Sequence, residues 1–73
     1  MIQAVLFNID TNKYNTELKR RNFLKYLKLT PIKKVHETKN YYRYRILEPD
    51  NNKYTYRIKK INDDVSLILE FNK

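Results

Sequence analysis

From Tyr41 to Phe71 the chain keeps a period of two: "YYRYR" over 41–45, "YTYRIKK" over 54–60 and "VSLILEF" over 65–71. Successive side chains of an extended strand point to opposite faces, so this spacing commits the C-terminal half to β-strands. It predicts strands at 32–38, 41–48, 53–61 and 64–71, separated by "KN", "PDNN" and "ND". Asn62-Asp63 suits a tight type I′ hairpin, and Lys39-Asn40 does so more weakly. Residues 2–9, "IQAVLFNI", are apolar on both alternations, which suits a strand covered on one face and largely on the other.

Between the first strand and the rest lies one helix. Asn15 or Thr16 is placed to cap it, with Glu17 favourable in its first turn. It is expected to run to about Leu29, because Pro31 biases Thr30 away from helical angles. Phe23, Leu24 and Leu27 make its apolar stripe. Arg21, Lys25 and Lys28 make a basic one, expected to be a solvated face.

The whole, residues 1–73, reads as a single α+β domain in the order β-α-β-β-β-β. Its five-stranded, mostly antiparallel sheet carries one helix on one face. A two-residue loop at Asn62-Asp63 sets Lys60 opposite Val65, Ile58 opposite Leu67, Tyr56 opposite Leu69 and Tyr54 opposite Phe71. A loop at Lys39-Asn40 sets Val35 opposite Tyr44 and Glu37 opposite Tyr42. These pairings join Val35, Tyr42, Tyr44, Ile46, Tyr54, Tyr56 and Ile58 with Val65, Leu67, Leu69 and Phe71 in one face beneath the helix. The first strand is expected at an edge, beside the last.

The opposite face then carries Lys34, His36, Arg43, Arg45, Thr55, Arg57 and Lys59, with Tyr41 at one end. A 41–48/53–61 hairpin sets Arg43 or Arg45 against Arg57, and like charges directly opposite destabilise a sheet. Guanidinium groups form planar, bidentate forks suited to phosphate. Lys and Arg number 16 against 8 acids, a formal charge of +8, and such a field attracts polyanions. A bland reading stands beside this one, in which long basic side chains only solubilise the sheet and block its association.

Other chemistry is poorly provided for. Glycine is absent, which excludes phosphate-cradling loops and dinucleotide fingerprints. Cysteine is absent too, removing thiol catalysis and cysteine-ligated zinc. His36 is the only histidine, and Asp50, Asp63 and Asp64 sit where turns need them. No enzyme, cofactor or metal is expected. No signal peptide and no apolar run of ~20 residues is visible, so no membrane association is expected and the protein is placed inside the cell.

The functional expectation is a small accessory protein that binds DNA or RNA with little sequence specificity. Its contacts are Lys34, His36, Tyr41, Arg43, Arg45, Arg57 and Lys59, with Tyr41 the residue placed to stack on a base. The alternative is a protein-interaction or virion structural subunit, an anti-defence inhibitor included, whose basic face docks an acidic protein. Either could be a monomer or a homodimer.

The segment "VHETKNYYRYRILEPD", followed by "YRIKKINDDVSLILEF", resembles a small domain that recurs in phage and large-virus proteins. That domain has a strand, a helix, a Tyr-Arg-Tyr-Arg strand, a Pro-containing turn, a basic strand and a closing apolar strand. The resemblance implies viral origin and no mechanism. It carries over no site residue.

Overall fold

The computed structural model describes residues 1–73. Its elements are β1 (Ile2–Asn8), α1 (Glu17–Tyr26), β2 (His36–Glu37), β3 (Tyr41–Arg45), β4 (Tyr54–Lys60) and β5 (Val65–Asn72). The strands form one sheet in the order β2-β3-β1-β5-β4, and every neighbouring pair is antiparallel. The α+β class and the element order are those the sequence predicts.

The position of β1 is not. It lies at the centre of the sheet, bonded to β5 as expected but also to β3. Its composition explains why. Ala4 and Leu6 are buried on one face and Val5 and Phe7 on the other, and only an interior strand is covered on both. Because β1 and β5 separate β3 from β4, the expected hairpin between those two strands does not form.

Residues 46–53 instead cross the end of the sheet to reach the far edge. The amides of Ile46 and Leu47 donate to Gln3 O at 2.8 and 3.1 Å, and Gln3 Nε2 donates to Leu47 O at 2.6 Å. Beyond them, the Asp50 amide donates to the Tyr56 hydroxyl at 2.7 Å. An irregularity between Ile2 and Ala4 of β1 accommodates this crossing.

Register decides the faces. The Lys39-Asn40 loop pairs Glu37 with Tyr42, as predicted. The turn before β5 does not behave as predicted, since Lys60 pairs with Ser66 rather than Val65. No turn residue takes a positive φ, which a type I′ turn requires at two positions. Asn62 Oδ1 closes the turn instead, accepting from the amides of Asp64 and Val65 at 2.8 Å each. The one-residue shift sends Tyr54, Tyr56 and Ile58 to the face away from the helix.

Helix α1 is capped by Thr16, whose Oγ1 accepts from the Lys19 amide at 3.2 Å. It ends earlier than Pro31 suggests. Lys28 adopts φ 60°, the Lys28 amide donates to Lys25 O and the Leu29 amide to Leu24 O. That is a Schellman closure with lysine where glycine is usual. It turns Leu29 back onto the core.

The core is Val5, Phe7, Tyr14, Leu24, Tyr44 and Val65. Phe7 is its hub, with edge-to-face contacts to Tyr14, Phe23 and Tyr44 at 5.3, 5.8 and 5.6 Å between centroids. Val35, Tyr42, Ile46 and Leu67 pack around it on the predicted side. The short helix does not reach the far end of β5, where Phe71 remains 46% exposed.

Candidate functional site

Ladder partners place each predicted contact. Arg43 pairs with Leu6 and Arg45 with Ala4, on the face away from the helix. Tyr41 shares that face by alternation, and His36 stands directly opposite Arg43 on β2. Lys34, exposed, lies two residues before His36 at the same edge. These five residues come together.

Arg57 and Lys59 do not join them. They pair with Leu69 and Leu67, on the helix side of the sheet and at its other edge. The single arginine face inferred from the sequence therefore divides in two, because it rested on a β3–β4 pairing and a β4 register that the fold does not adopt. The repulsion expected between Arg43 and Arg57 is absent. What remains is repulsion along β3, between Arg43 and Arg45.

The β3 pair has distinctive surroundings. Arg43 Nη2 donates to Oε1 of the buried Gln3 at 3.2 Å. The Nε atoms of both Arg43 and Arg45 are buried and have no hydrogen-bond partner. Burial, and secondly the charge of Arg45, lowers the Arg43 pKa. Nearby carboxylates are engaged elsewhere. Glu48 pairs with Lys33 at 2.9 Å, and that hydrogen bond is the main reason its pKa is lowered. Glu70 accepts from the Tyr56 hydroxyl at 3.1 Å. Both arginines thus keep buried donors that the protein itself does not satisfy.

Beneath them lies a cation the sequence reading missed. Arg20 of α1 is 6% exposed, with its guanidinium carbon 3.8 Å from the centroid of the Tyr42 ring. Its Nε donates to the Tyr44 hydroxyl at 3.0 Å and its Nη1 to Tyr14 O at 2.9 Å. It has no carboxylate partner within ion-pair distance. Arg20 locks the helix to the aromatic side of β3 and is not available to a ligand. The signal was present: Arg20 precedes Phe23, Leu24 and Leu27 by three, four and seven residues, on the apolar stripe.

Asp50 behaves as turn chemistry predicts, its Oδ1 accepting from the amides of Asn52 and Lys53, whereas Asp64 Oδ1 accepts from the hydroxyl of the distant Thr11. No three His, Asp or Glu side chains gather as a metal site would require. No helix is long and apolar enough to cross a membrane. Two open depressions exist, of about 150 Å³ at the end of α1 and about 330 Å³ beside Arg57 and Phe71. Neither lies on the Arg43–Arg45 surface, which is shallow and suits an extended ligand better than a small molecule. No family model, curated protein or solved structure matches the chain.

Proposed function

We propose that this protein is a non-enzymatic, basic accessory protein that binds nucleic-acid backbone through the β2–β3 half of the open sheet face. The observation that carries the reading is that Arg43 and Arg45 stand on one face with His36 opposite Arg43, and neither forms an ion pair with a carboxylate. Both side chains are only half-buried, and a phosphate oxygen bonded to the accessible part of their guanidinium groups cancels the repulsion between the two cations. His36 and Lys34 extend the contact toward the edge, and Tyr41 is half-buried at the end of β3, where a ring can stack on a base. Such contacts position a backbone without reading its sequence. Arg57 and Lys59 contribute through the field rather than by contact.

The resemblance to phage and large-virus domains supports a viral source, with the ligand a nucleic acid inside the infected cell or the virion. Fluorescence anisotropy with labelled random DNA and RNA at two salt concentrations tests the function. The Arg43→Gln/Arg45→Gln double variant should weaken binding to all sequences about equally. Each lost contact should flatten the log-affinity against log-salt slope by roughly 0.7–0.9. Unchanged affinity and slope in that variant would refute the site. Failure of the unaltered protein to bind either polymer would assign the surface to an acidic protein instead.

A further inference from the structure

The outer edge of β4 is a second, differently built surface. Ile61 N donates to Val65 O at 3.0 Å and Lys73 N to Lys53 O at 3.1 Å, at the two ends of the β4–β5 ladder. Antiparallel ladders alternate, so Thr55, Arg57 and Lys59 also turn their backbone groups toward β5. Tyr56, Ile58 and Lys60 therefore present their N–H and C=O groups outward, at an edge with no neighbouring strand. The strand has no proline and no register break, and Ile58 is 66% exposed. Unprotected edges of this kind accept another strand.

Charge selects which strand. Arg57 and Lys59 stand on the helix-side face of the edge, and Tyr56 and Ile58 on the other. Pairing with a second copy about a two-fold axis must match outward residues to outward residues. Centred on 57, it sets Arg57 against Arg57; centred on 58, Arg57 against Lys59; centred on 59, Lys59 against Lys59. Each register opposes like charges on a protein that already carries +8. A second copy is disfavoured at this edge, and an acidic strand is favoured by the same groups.

We propose that β4 accepts an extended acidic segment of a partner protein as a sixth strand. Acidic residues of the segment lie beside Arg57 and Lys59, and its apolar residues lie beside Tyr56 and Ile58. Main-chain hydrogen bonds to Tyr56, Ile58 and Lys60 supply the attachment, and the acid/apolar alternation supplies the selection. The surface is separate from Arg43 and Arg45, so it can be occupied together with nucleic acid.

A short synthetic peptide alternating Glu with Val, titrated into the full chain and followed by amide hydrogen exchange, tests this. The amides of Tyr56, Ile58 and Lys60 should become protected, while those of Arg57 and Lys59 are protected already. A peptide of the same composition with its acids clustered should bind more weakly. Ile58→Pro removes an outward N–H without removing a bond to β5 and should abolish binding. Arg57→Glu/Lys59→Glu, which leaves the backbone intact, should weaken it by roughly 3- to 30-fold. Arg43→Gln/Arg45→Gln should leave it unchanged. Equal binding of the clustered peptide, binding without protection of those three amides, or their protection in a peptide-free dimer would each overturn the proposal.

Discussion

Strands β3 and β4 have nearly the same pattern and opposite orientations. In "YYRYR", Tyr42 and Tyr44 point at the helix and Arg43 and Arg45 point away from it. In "YTYRIKK", Tyr54, Tyr56 and Ile58 point away and Arg57 and Lys59 lie on the helix side. Tyr44 is fully buried whereas Ile58 is two-thirds exposed at 66%. An alternating pattern separates two faces without saying which is the inner one. The answer comes from neighbours. β3 lies against central β1 beneath the helix, and β4 lies at an edge that the short helix does not cover.

The largest expected effect tests the difference directly. Tyr44→Ala empties the centre of the core and should cost about 3–5 kcal/mol, enough to unfold much of the population. Tyr54→Ala, on the side of β4 that points away from the helix, should shift the melting temperature far less. Equal losses would mean that β4 is buried as β3 is. A milder change sharpens the point: Tyr44→Phe keeps the ring but leaves Arg20 Nε unpaired, and should cost roughly 1–3 kcal/mol by denaturant melt.

The turn that sets the β4 register comes next. Asn62→Ala removes the acceptor of two turn amides and should cost about 1 kcal/mol. Amide exchange in the variant should also reveal whether β4 slips toward the Val65-Lys60 pairing that a two-residue loop prefers. A stable, unslipped variant would show that strand packing, not the turn, holds the register.

For the arginines the contrast is between stability and affinity. Arg45→Gln relieves repulsion on Arg43, so thermal stability should hold or rise slightly while nucleic-acid affinity falls. Arg57→Gln should do neither to any marked extent. A loss of stability in Arg45→Gln would make it a structural residue.

The smallest effect belongs to Tyr56, whose pKa is raised from the ordinary 10.0. Desolvation of the half-buried hydroxyl is the first cause. The Asp50 amide opposes it, and the hydrogen bond to Glu70 reinforces it. A pKa raised by folding means a contribution present below the unfolded value and lost as pH rises through the folded one. Stability should therefore decline above about pH 10, and Tyr56→Phe should reduce that decline. An identical alkaline profile in the variant would assign the loss to other groups.

Much of this architecture was legible locally. The Thr16 cap, the Glu37–Tyr42 register, the inward set Val35, Tyr42, Tyr44 and Ile46, and the turn role of Asp50 all follow from contacts a few residues apart. The two-sided apolar character of β1 also pointed to an interior strand, and placing it at an edge discounted that signal. Five of the seven candidate contacts lie together because β2 and β3 form a local hairpin. Arg57 and Lys59 went astray because their placement depended on a long-range pairing.

What the sequence by itself determined was the set of elements and the separation of each strand into a polar and an apolar side, since both depend on side-chain chemistry and a period of two. Tertiary structure alone decided which strands are neighbours and which side of β4 faces the helix. Residues 46–53 can close a hairpin or cross the sheet end. A one-residue slip at Asn62 exchanges the faces of β4 without altering any local preference of the strand. Burial of β1 on both faces resolves the first choice. For the second, an Asn side chain closes the turn that would otherwise need two residues at positive φ, in a chain without glycine.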